Sequence, residues 1–269
     1  MSILGAVIVP HPPLIIPTVG RGREQEVQST IDAYRTAAEQ VAAWEPEVLI
    51  ITSPHQVMYA DYFHISPGRG ATGNMSAFGA DQTKLSVEYD VQLRDEIIRR
   101  AESADLRAGT LGQRDPYLDH GTFVPLYFLR EAGVDSPILR IGLSGFSPID
   151  HYRLGQCIAQ AVETLGRKAV FVASGDLSHK LKDDGPYGFA PEGPEFDRQI
   201  TGAMAEGDFL RFLTMDPALC DRAAECGLRS FQIMAGALDG QAVEARLPSY
   251  EGVTGVGYGV ATFTVTGPD

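Results

Sequence analysis

The stretch ILGAVIVPH (residues 3–11) decides how the chain is read. An unbroken run of apolar and small residues, Ile3 to Val9, meets a proline and then a histidine. A short apolar run bounded by a breaker is the pattern of a strand buried on both faces. Two further runs have the same form: VLIITSPH (48–55) and AVFVASGDLSH (169–179). Each of the three finishes in a histidine, namely His11, His55 and His179. In an open α/β sheet, ligands bind outside the carboxyl ends of the strands, and imidazole is a common metal ligand. The chain has six histidines, so half of them occupy equivalent positions. A shared site at one edge of a sheet explains that better than packing does.

Outward from these runs, strands and helices alternate. Glu24 to Trp44 carries Val27, Ile31, Tyr34, Ala38 and Val41 at helical spacing. Val48 to Thr52 is a buried strand and Tyr62 to Ile65 a short one. Ser66 to Gln82 is rich in Gly, Ser and Ala and reads as a loop. Leu85 to Tyr89 is extended, and Val91 to Ser103 is a helix. Gly121 to Ala132 is a helix starting after Asp119 and His120. Pro137 to Leu143 is a strand, His151 to Leu165 a helix and Lys168 to Ala173 a strand. The tail differs: Glu195 to Phe212 and Asp216 to Leu238 read as helices with breaks. Ala242 to Tyr250 and Gly255 to Val265 read as an antiparallel pair at the sheet edge. The expectation is one α/β domain over residues 1–269, with a mostly parallel sheet, helices on both faces and an antiparallel C-terminal edge.

Composition narrows the function. A net charge of −13 and a pI near 4.9 argue against nucleic-acid and anionic-membrane partners, which need clustered Lys and Arg. Cys157, Cys220 and Cys226 make an odd number without a CxxC spacing, so no disulfide framework is suggested and a cytoplasmic location is expected. The apolar N-terminus lacks a basic segment and is broken by prolines, unlike a signal peptide.

Four constellations carry chemistry. PHPP (10–13) holds His11 on stiff backbone. SPH (53–55) repeats the strand, proline and histidine order. SGDLSH (174–179) places Asp176 to cap a turn or to hydrogen-bond His179. DHG (119–121) sets His120 at a helix start. Asp61 reads as a surface carboxylate, and His64 and His151 as structural. Two histidines and one carboxylate with open positions is the pattern of non-haem Fe(II) oxygenases. AAECGLRSF (223–231) offers Glu225 as that carboxylate, with Cys226 as the alternative ligand beside it.

In their order and spacing, these four motifs resemble the class III extradiol ring-cleavage dioxygenases, the family of the B-type catalytic subunit of protocatechuate 4,5-dioxygenase. GDLSHKLKDDGPYGFAPEGPEFD (175–197) and AAECGLRSFQIMAGALDG (223–240) look closer to the AMMECR-associated branch that includes the Memo proteins. The resemblance covers essentially the whole chain. It implies Fe(II), with Zn or Cu as other metals, held by His11, His55 and Glu225, while a cysteine near this place in Memo-type relatives keeps Cys226 open. It implies His179 as acid/base and His120 on the substrate and oxygen side. A catechol or aminophenol would be cleaved with O2 next to its two heteroatoms, within aromatic catabolism. A homo-oligomer is expected, and some relatives work with a small second subunit. The alternative is a Memo-like metal-binding or redox-linked protein without ring cleavage. A zinc hydrolase ranks last, because HExxH is absent.

Overall fold

Successive side chains of a strand face opposite sides of its sheet. Here Ile8, Val48, Ile50 and Phe171 pack into one core, while Val7, Leu49, Ile51, Val170 and Val172 pack into a second. Strands apolar at every position need a covering layer on both sides. The computed structural model describes residues 3–114 and 116–267 and shows both layers.

In chain order, β1 (Ile3–Val9) leads through α1 (Pro17–Gly20) and α2 (Gln28–Ala43) to β2 (Val48–Ser53). Then come β3 (Phe63–His64), β4 (Gly70–Met75), β5 (Ala80–Glu88), α3 (Val91–Ser103), β6 (Ala108–Gly109) and α4 (His120–Glu131). Next are β7 (Ile138–Gly142), α5 (Pro148–Leu165) and β8 (Ala169–Ser174). The tail holds α6 (Glu192–Glu206), α7 (Phe209–Thr214), α8 (Pro217–Ala223), α9 (Leu228–Ala237), β9 (Val243–Glu251) and β10 (Tyr258–Val265).

The central sheet has the order β7-β2-β8-β1-β10-β9. The first four strands run parallel, and β10 pairs antiparallel with both β1 and β9. The expected fold class is therefore present, including its antiparallel C-terminal edge. Helices α2 and α4 fill the core on one face; α3, α5, α6 and α9 fill the other. Among the described residues, no helix is long and apolar enough to cross a membrane.

Two segments differ from the sequence reading. Ser66 to Gln82, expected as a loop, contains β4, which pairs antiparallel with β5. Its small residues hide the strand, because the pairing is made by backbone and only Ala71, Gly73 and Met75 face inward. At Gly70 a Cβ would fall 2.3 Å from the Val87 carbonyl oxygen, so glycine is what permits the approach. The helix expected from Glu24 starts as α2 at Gln28, after a 3-10 turn over Arg23–Val27.

Candidate metal centre

Because β8 lies between β1 and β2, the residues that follow the three strands meet at one edge. Val9 is level with Ser174, and Thr52 with Ala173. His11 lies two residues past β1 and is buried. Its backbone N–H donates to Asp176 Oδ1 at 2.8 Å, and its Nδ1 lies 2.9 Å from Ser174 Oγ. Ser174 Oγ in turn donates to the Gly121 carbonyl at 2.6 Å. His55 is exposed, and its Nε2 is 2.9 Å from His11 Nε2. Its backbone N–H donates to Ser53 Oγ at 3.2 Å, and that hydroxyl donates to Asp119 Oδ1 at 2.5 Å. Asp119 also caps α4, accepting from Thr122 N at 3.0 Å. The cap fixes the helix start, and His120 with it: its ring centroid is 3.9 Å from that of His55 and 5.6 Å from that of His11.

The third nearby donor comes from the turn between α8 and α9. Cys226 Sγ lies 3.7 Å from His11 Nε2 and 3.3 Å from the Asp176 N–H. The ligand atoms of His11, His55 and Cys226 all lie within 4.8 Å of one another. A tetrahedral ion with bonds of about 2.0–2.3 Å spaces its N and S ligands by roughly 3.3–3.7 Å, so the donor set fits a metal with small adjustments. Glu225 is not in this group. Its carboxylate accepts from Leu228 N at 2.7 Å, at the start of α9. The structure thus gathers His11, His55 and Cys226, and turns Glu225 to the neighbouring helix.

Electrostatics suit ligands that bind as neutral or deprotonated groups. Burial, then the neighbouring His55 charge, pulls the His11 pKa down to about 3. Burial and then His55 do the same for His120, also to about 3. Burial, then the Asp176 and Glu225 charges, pushes the Cys226 thiol well up, so a cation is needed to draw off its proton. Burial lifts Asp176 to about 6 and Glu225 to about 7.

His179 sits on the same edge. Its backbone N–H donates to the Ala223 carbonyl at 3.0 Å, and its ring meets the Tyr187 ring at 4.9 Å. Its Nδ1 is buried and has no hydrogen-bond partner among the described residues.

A cavity of about 290 Å³ opens beside His55 and Asp119 and is also lined by Gln56, His64, Tyr117 and Arg140. Arg140 is buried; its Nε donates to Ser66 Oγ at 2.7 Å and Nη1 to the Tyr117 carbonyl at 2.6 Å. Gln56 donates to His64 Nδ1 at 2.9 Å, and His64 Nε2 faces the Gln113 carbonyl at 2.9 Å. Sequence reasoning gave His64 no role and passed over Arg140 and Ser174. The available signals were a lone arginine inside the apolar strand ILRIG and a serine ending an apolar strand. Elsewhere, Asp61 is at the surface, paired with Arg107 at 2.6 Å. His151 is buried in a structural contact, its Nδ1 2.9 Å from the Ser147 carbonyl. Tyr59 accepts from the Gln113 N–H at 3.0 Å, Tyr187 packs on the His179 ring, and Phe189 and Arg229 are exposed.

Several known proteins are similar to this chain over most of its length. A protein of Clostridium acetobutylicum is 34% identical over 268 residues, covering 97% of this chain; the chain spans 57% of that relative's length. The 2-aminophenol 1,6-dioxygenase beta subunit of Pseudomonas sp is 25% identical, over 98% of this chain and 94% of its own. The 3,4-dihydroxyphenylacetate 2,3-dioxygenase of Escherichia coli is 25% identical, over 72% of this chain and 74% of its own. A solved structure of an uncharacterized Escherichia coli K12 protein shares the fold, with a TM-score of 0.62 at 13% identity, covering 96% of this chain and 99% of that one. The profile of the catalytic LigB subunit of aromatic ring-opening dioxygenase matches residues 5–261, and the chain belongs to this family of class III extradiol dioxygenases.

Proposed function

We propose that this protein is a non-haem Fe(II) dioxygenase that opens the ring of a catechol or aminophenol. The observation that carries the reading is the cluster of His11, His55 and Cys226 at the strand ends, with a cavity opening beside it. Bound there, Fe(II) would supply the Lewis acidity and the redox chemistry that ring opening by O2 requires. Cys226 of the α8–α9 turn and buried His11 would hold the ion, with exposed His55 on the side of the cavity. His179 takes the proton of the substrate's second hydroxyl and returns it later in the reaction. The His120 ring, tilted against that of His55, excludes water from the side where substrate and oxygen enter. The polar cavity wall suits a ring with a polar substituent, and the relatives' names supply the panel to try.

The test is reconstitution with Fe(II) without oxygen, followed by exposure to air with 2-aminophenol, 3,4-dihydroxyphenylacetate and other catechols. Oxygen uptake and a yellow ring-fission product are expected from at least one of them. No uptake across the panel by fully loaded protein overturns the activity. A second reading, a metal-binding or redox-linked protein without ring cleavage, is favoured by one observation: the third close donor is the Cys226 sulfur rather than a carboxylate. Stable metal retention combined with no oxygen uptake is its signature. The three free cysteines suit a reducing, cytoplasmic setting under either reading.

A further inference from the structure

We propose that Ser174 presets His11 as a ligand by holding its ring proton on Nδ1. This rests on the cluster being a metal site, as read above, and not on ring cleavage.

Ser174 is buried, and its hydroxyl has a single proton to give. That proton goes to the Gly121 carbonyl, 2.6 Å away, because a carbonyl only accepts. The same oxygen is 2.9 Å from His11 Nδ1, so His11 donates there. A neutral imidazole carries one N–H, and His11 Nε2 is left as a bare lone pair aimed at the cluster. His55 Nε2 lies 2.9 Å from that lone pair.

The two histidines are held differently. His11 is fixed at both ring and backbone, since its N–H also donates to Asp176 Oδ1 at 2.8 Å. Ser53 is the counterpart of Ser174 on β2, but its oxygen accepts from the His55 backbone N–H at 3.2 Å and donates to Asp119. It therefore anchors the His55 backbone and not the ring. Both serines hold the first turn of α4. A Cβ at Gly121 would fall 2.4 Å from Ser53 Oγ, so only glycine lets that turn sit against both strand ends. Metal entry then leaves the His11 proton in place.

The experiment is long-range 1H–15N spectroscopy of the full chain with 15N-labelled histidine, first metal-free and then with Zn(II). The expected result is His11 protonated at Nδ1 in both states. Ser174→Ala should release the His11 tautomer and weaken Zn(II) binding about 10- to 100-fold, the usual effect of losing a contact that orients a ligand. A metal-free wild type with His11 protonated at Nε2 overturns the proposal, as does a folded Ser174→Ala variant with unchanged tautomer and affinity. If that variant does not fold, the wild-type spectra alone decide. A failure of ring cleavage would leave the spectra untouched, so the two ideas fall separately.

Discussion

At Ala224 the backbone takes a left-handed conformation, φ 53°, just where α8 stops. That turn sends Glu225 and Cys226 in different directions. The Glu225 carboxylate folds onto the start of α9, and the Cys226 sulfur faces His11 and Asp176. Losing a metal ligand costs more than losing an outer contact, which is worth roughly 10- to 100-fold. Cys226→Ala should therefore weaken Fe(II) or Zn(II) binding by at least about 100-fold. Glu225→Gln, which keeps an oxygen for Leu228 N, should change it by no more than a few-fold. Competition against a chromophoric chelator measures both, and the opposite ranking would return Glu225 to the metal. His11 and His55 were legible in the sequence because each follows an apolar run and a proline, an order that carries geometry by itself. The choice between Glu225 and Cys226 was not legible, because it depends on the backbone of Ala224, a residue with no turn preference to announce it.

Glycine contacts set how elements bring the site together. A Cβ at Gly175 would lie 2.2 Å from the Gly227 Cα, so the turn after β8 rests directly on the turn before α9. That contact carries Asp176 to within hydrogen-bond reach of the Cys226 sulfur. Gly202, within α6, has nothing within 4 Å of where its Cβ would be. Gly175→Ala is expected to destabilise the fold by about 1–3 kcal/mol through overpacking and to weaken metal binding by pushing the two turns apart. Gly202→Ala is expected to stabilise by roughly 0.5–1 kcal/mol, since alanine loses less entropy in a helix. Chemical denaturation of both variants reads the contrast, and equal effects would mean that the Gly175–Gly227 contact is not tight. At this scale the long elements were legible from periodicity. The β4 strand was not, because glycine, alanine and asparagine give no alternation of large apolar residues to read.

Across the whole molecule, the sheet order was the part the sequence could only outline. Alternating strands and helices imply a parallel sheet, but only the pairing shows that β8 lies between β1 and β2 and so joins three segments far apart in the chain. A buried carboxylate ties this centre to the tail. Asp197 of α6 accepts from Ser178 N at 2.8 Å and from the Tyr250 hydroxyl at 2.7 Å, linking α6, the turn that carries His179, and β9. Burial is the main cause that lifts its pKa from 3.8 to about 6, against the two hydrogen bonds, which lower it. A carboxyl with a raised folded-state pKa keeps its proton in the folded chain after the unfolded chain has lost it. Between about pH 4 and pH 6 the folded state therefore binds more protons, and stability falls as pH rises through that window. A shift of about two units corresponds to roughly 3 kcal/mol at most. In Asp197→Asn the amide oxygen accepts from Ser178 N and the amide nitrogen donates to Tyr250, whose hydroxyl then accepts. The variant keeps the links without a charge. Thermal melts of metal-free protein should show the wild type losing more stability than Asp197→Asn between pH 4 and pH 6. Other titrating groups act in both proteins and cancel in the difference. Parallel curves would mean that Asp197 ionises in the folded chain at its ordinary pKa, and the link through α6 would then be made by an ordinary solvated carboxylate.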